Sequence, residues 1–95
     1  MTIAKLQKIF RQMNGVSVNG ETAHCWSAER NLSEIGYDEL ALQVWTSAGF
    51  DPQDSADYEF TLEELLDAKI SRCRTHLRVG EHQVEFTVTK PIPLS

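Results

Sequence analysis

The chain has 95 residues, with 14 Asp or Glu, 9 Lys or Arg and 3 His, for a formal net charge of −5. That length excludes barrel enzymes of about 250 residues and fits one domain over 1–95 with a modest core. Hydrophobic residues at 41% and charged residues at 24% are ordinary for a soluble globular domain, and no apolar run reaches the ~20 residues of a membrane-spanning helix.

At the start of the chain, Ile3, Leu6, Ile9, Phe10 and Met13 recur at helical spacing, with Lys5, Lys8 and Gln12 opposite. Thr2 suits the N-cap and Asn14-Gly15 a left-handed C-cap, so a helix is expected over 3–13. Its basic polar side also suits a membrane surface, but about 11 residues with Phe10 as the sole aromatic read more simply as a core helix. A secretory signal would place its charges first and an unbroken apolar stretch after them. Lys5, Lys8 and Arg11 are instead interspersed. With Cys25 and Cys73 as the only cysteines, a cytoplasmic protein with reduced thiols is expected, not a Cys25–Cys73 disulfide.

Asn19-Gly20 tolerates the positive φ angles of a type I′ turn. It separates Val16–Val18 from Glu21–Trp26, which predicts a hairpin. Residues 38–48 carry two signals. Tyr37, Leu40, Ala41, Val44, Trp45 and Ala48 make a helical stripe, while Leu40, Leu42 and Val44 alternate as in a strand. Asp38 and Glu39 at the front and Gly49-Phe50 at the back favour the helix. A polar loop follows over 51–57, then a short extended segment at Tyr58–Phe60.

Thr61-Leu62-Glu63-Glu64 matches a capping box, with Phe60 and Leu65 placed for a hydrophobic staple. The helix it opens is expected to bury Leu62, Leu66, Ile70 and Cys73 and to end near Arg72 and Arg74. The last segment predicts a second hairpin: Thr75, Leu77 and Val79 before Gly80-Glu81, then Val84, Phe86 and Val88. Gly80 suits a type II′ turn, and Pro91 and Pro93 end the strand. The expected fold is α+β, two hairpins forming an antiparallel sheet packed against about three helices.

Charge is unevenly spread. Residues 1–28 sum to +2 and residues 68–95 to +3, while residues 29–67 hold eleven acids and only Arg30, or −10. Such a layout steers basic partners and repels nucleic acid. The simplest reading is a solvated face with acids gathered at helix N-termini. The sharper one is an acidic docking face.

Chemical constellations are weak. His24-Cys25 and Cys73-x-x-His76 supply four zinc-type ligands, but adjacent strand residues point apart and structural zinc pairs usually leave two to four residues between members. Cys25 lacks a histidine partner identified by spacing. Asp51, Asp54 and Asp57 fail the calcium-loop pattern, since position 6 would be Ala56 and position 12 Leu62. Glu63, Glu64 and Asp67 read as cap and dipole partners before an acid–base pair. Arg72, Arg74, His76, Arg78 and Lys90 form at most a small basic patch without interleaved aromatics, which argues against direct nucleic-acid binding. The glycines lie dispersed at turns, not in a phosphate-cradling loop.

No run of residues carries a family signature; the size, acidity and lack of a catalytic motif are often found in small accessory proteins of phages or plasmids, which is a matter of composition and not a resemblance. The expectation is a non-catalytic interaction module of inhibitor, immunity or adaptor type, with no cofactor, metal or membrane. It would bind a basic protein through Glu34, Tyr37, Asp38, Asp51, Asp54, Asp57, Tyr58, Glu59 and Glu63. The alternatives are a self-assembling structural subunit, pairing as a homodimer through a hairpin edge, and a metal-dependent or thiol enzyme.

Overall fold

A computed structural model describes residues 2–47, 55–70 and 76–88. The chain runs α1 (Ile3–Gln12), β1 (Met13–Val18), β2 (Glu21–Thr22), β3 (Cys25–Ala28), a 3-10 turn (Leu32–Glu34), β4 (Leu40–Trp45), β5 (Tyr58–Thr61), α2 (Leu62–Leu66), β6 (Lys69–Ile70), β7 (His76–Val79) and β8 (His82–Val88). The fold is α+β with two antiparallel sheets, one ordered β2-β1-β8-β7-β6 and the other β3-β4-β5. The described residues contain two α-helices rather than about three. Among the described residues no helix is long and apolar enough to cross a membrane.

The first helix forms as its pattern dictates. The Thr2 hydroxyl accepts the Lys5 N–H at 3.2 Å, and Leu6, Ile9 and Phe10 are buried. Phe10 meets Phe86 edge-on at 6.0 Å. The expected left-handed ending does not occur. Met13 takes an extended conformation and donates to the Ile9 carbonyl, so α1 runs directly into β1. Gly15 sits beside Thr87 in the sheet, where its absent Cβ would meet Thr87 Cβ at 3.4 Å. A register shift between Met13 and Gly15 absorbs the helix-to-strand change.

Both expected hairpins form and share one sheet. Asn19 and Gly20 have φ of 53° and 85°, as a type I′ turn requires. Gly80 has φ of 61° and closes β7 onto β8 with Val79 opposite His82, which fits type II′. Pairing of β1 with β8 joins the hairpins, placing Val16 opposite Phe86 and Val18 opposite Val84. The arm expected over 21–26 divides. Glu21 and Thr22 stay with β1, and the chain then crosses so that Cys25–Ala28 pairs with β4. The sheet ends β2 and β6 are each two residues as described.

Residues 38–48 were expected to be helical, and this is corrected: Leu40–Trp45 is the central strand of the second sheet. Leu42 and Val44 enter the core from one face, yet Ala41 and Trp45 on the other face are buried too. Burial on both faces erases the polar alternation of a strand and leaves apolar residues at helix-like intervals. Asp38 and Glu39 belong to a turn before β4, not to a helix N-terminus. The second helix is also shorter than expected. It ends at Leu66, and Ile70, expected in its buried stripe, lies 39% exposed on β6 opposite Leu77. Leu62 is buried as expected and Leu66 half-buried, and Leu65 and Ala68 join the core. The expectations for Gly49, Phe50, Asp51, Asp54, Arg72, Cys73, Arg74, Thr75, Lys90, Pro91 and Pro93 lie outside the described residues. One hydrophobic cluster draws on α1, β1, β4, β5, α2, β7 and β8.

Candidate functional site

The acidic segment is organised around the start of α2. Its first three amides, at Leu62, Glu63 and Glu64, have no partners within the helix. Thr61 supplies one, its hydroxyl accepting the Glu64 N–H at 3.2 Å while Glu64 Oε1 accepts the Thr61 N–H at 3.1 Å. The other two come from the preceding turn. The Leu62 N–H donates to the Glu39 carbonyl at 3.0 Å, and the Glu63 N–H to the Tyr37 carbonyl at 2.9 Å. That turn is itself closed by Glu39 N–H to Gly36 carbonyl at 3.1 Å and by Gly36 N–H to Glu39 Oε2 at 3.0 Å. Backbone hydrogen bonds therefore hold an acidic turn against an acidic helix.

The consequence is a pocket of about 270 Å³ lined by Tyr37, Glu63, Leu66 and Asp67. Tyr37 is 61% exposed, the largest exposure among the big hydrophobic side chains described. Glu63 and Asp67 lie four apart, on one side of the helix end. Among the described residues, the carboxylates of Glu34, Asp38, Glu63 and Asp67 take part in no hydrogen bond or ion pair. His76 Nε2 lies 3.3 Å from Glu85 Oε1, a contact that involves no residue of 29–67.

The other described acids are engaged locally by neutral donors. Glu29 accepts the Asn31 N–H, and Glu59 accepts Gln43 Nε2 at 3.0 Å. Asp57 Oδ2 accepts the Thr46 N–H at 2.7 Å, the Thr46 hydroxyl at 3.2 Å and the Ser47 N–H at 3.3 Å. The Thr46 amide chiefly holds the Asp57 carboxyl below its ordinary value, since hydrogen bonds to a carboxylate favour the charged form. Asp57 thus clamps the end of β4 to the start of β5.

Of the residues expected to meet a partner, the structure gathers Tyr37, Asp38 and Glu63 about the start of α2, with Glu34 on the nearby 3-10 turn. Asp57 and Glu59 form a separate group along β5 and its approach. Tyr58 is not an outward anchor. It is half-buried, its ring meets His82 edge-on at 5.4 Å, and its hydroxyl donates to Glu21 at 3.4 Å. Asp51 and Asp54 lie outside the described residues. Leu66 and Asp67 were not expected in the partner set. The spacing of Glu63 and Asp67 was legible, but the approach of Tyr37 was not.

Cys25 is a half-buried free thiol and His24 is exposed. Among the described residues no three His, Cys, Asp or Glu side chains are grouped to hold a metal ion. Arg78 stands exposed opposite Lys69. In comparisons with protein-family models, curated proteins and solved structures, nothing matches this chain.

Proposed function

We propose that this chain is a non-catalytic interaction module, of inhibitor, immunity or adaptor type, that binds a basic protein surface through residues 29–67. The observation that carries the reading is the pocket of Tyr37, Glu63, Leu66 and Asp67. An exposed aromatic ring and a leucine offer apolar surface to the stem of a lysine or arginine side chain. The two carboxylates receive its cationic head, and the ring face adds a cation–π contribution. Neither acid has an ionic partner among the described residues, so a basic side chain would not have to displace one. Tyr37, as a rigid exposed aromatic, is the anchor expected of such a contact.

Capture of partners from a host lysate at low and high salt tests the reading, with a Glu63→Lys/Asp67→Lys double variant run alongside. The expected partner is held at about 50 mM salt, lost at about 500 mM, where screening shortens the reach of exposed charges to a few ångströms, and lost at both with the variant. Salt-insensitive capture, or capture that the double variant leaves unchanged, contradicts the proposal.

A further inference from the structure

A second pocket, of about 330 Å³, lies between α1 and the end of β3, lined by Gln7, Phe10, Arg11, Ala28, Glu29 and Arg30. That volume falls within the roughly 300–1,000 Å³ of small-ligand clefts. Two exposed arginines line it, Arg11 on α1 and Arg30 after β3, and neither has an ion pair among the described residues. Gln7 lines the pocket beside them. Its Oε1 accepts the Leu32 N–H at 2.8 Å, which fixes the orientation of the amide. Among the described residues its Nε2 is buried without a hydrogen-bond partner.

The remaining lining limits what fits. Phe10 and Ala28 supply an apolar wall. Glu29 places one negative charge at the rim, although its Oε1 is already engaged by the Asn31 N–H. Two arginines against one glutamate leave a single positive charge in excess. This balances a monoanion, and the chain's net charge of −5 opposes a dianion. Arginine forks match the planar carboxylate bidentately.

We propose that this pocket binds a small organic monocarboxylate, its carboxylate held by Arg11 and Arg30 and its apolar body set against Phe10 and Ala28. The site shares no lining residue with the acidic pocket, and although Glu29 and Arg30 open the segment 29–67, its test needs no protein partner.

Titration of the full chain with sodium benzoate, at ionic strength fixed with chloride, tests it. The readout is nuclear magnetic resonance of the Gln7 side-chain amide and the Arg11 and Arg30 Nε–H groups. Saturable shifts at all three are expected. Arg30→Gln, at an exposed position, should weaken binding about tenfold through loss of a charge-assisted bond, whereas Lys8→Gln should leave it unchanged. Benzyl alcohol, lacking the carboxylate, and inorganic phosphate, carrying more charge, should both bind more weakly than benzoate. Shifts that do not saturate overturn the proposal, as does equal weakening by the two variants. Benzyl alcohol binding as well as benzoate would reduce the pocket to an apolar cleft, and tighter binding of phosphate would refute the monocarboxylate assignment.

Discussion

Thr61→Ala removes the hydroxyl that accepts the Glu64 N–H at 3.2 Å and donates to Glu64 Oε1 at 3.1 Å. The Leu62 and Glu63 amides keep their carbonyl partners on Glu39 and Tyr37. Since Glu64 is exposed, water partly replaces the lost acceptor, and the cost should fall near 1 kcal/mol within the usual range of about 0.5–2. The penalty should appear in global unfolding, because α2 has only five residues and is too short to stand alone. It also carries Leu62 and Leu65, which are 1% and 0% exposed, into the core. For a domain of this size, 1 kcal/mol lowers Tm by about 4–8 °C. Urea and thermal unfolding followed by circular dichroism measure the difference. Thr61→Ser, which keeps the hydroxyl, should stay close to the parent protein. If Thr61→Ala leaves Tm unchanged, or Thr61→Ser falls as far as Thr61→Ala, the capping box does not stabilise α2 as argued.

Two further outcomes follow from local geometry. Gly20 has φ of 85° and open space where a Cβ would stand, so Gly20→Ala meets only backbone strain. It should cost about 1–2 kcal/mol, and equilibrium urea unfolding that shows no loss would dispute the type I′ turn. Asp57 titrates below its ordinary 3.8 because the folded chain hydrogen-bonds its charged form. Its contribution to stability is therefore fully present above that value and is lost as pH falls through the lowered folded value. The Tm deficit of Asp57→Asn should accordingly be steady near neutrality and shrink in acid, and a deficit independent of pH would rule out the clamp.

The two candidate pockets differ in what shapes them. The acidic one depends on hydrogen bonds between a turn and a helix end distant in sequence by some two dozen residues, from Tyr37 to Glu63. The arginine-lined one depends on Gln7 being held by Leu32, which brings the chain after β3 against α1. Their linings differ in charge: Glu63 and Asp67 line the first, and Arg11 and Arg30 with Glu29 line the second.

Local chemistry made much of the fold legible. Asn19-Gly20 and Gly80 specify their turns because few other residues accept those φ angles. The α1 stripe and the Thr61–Glu64 box act within a few residues of themselves, so they read correctly without knowledge of the rest. The segment 40–45 could not be settled this way: its apolar residues satisfy either period, and only partners on both flanks, β3 and β5, make it a strand. The same limit explains the crossing after Thr22 and the early end of α2, where pairing with β4 and with β7 outweighs local preference. Sequence likewise marked 29–67 as acidic. Which of those acids are engaged by neighbouring amides, and which stay unpaired beside Tyr37, was decided by tertiary hydrogen bonds, because a carboxylate's partners are set by what packs against it rather than by what precedes it in the chain.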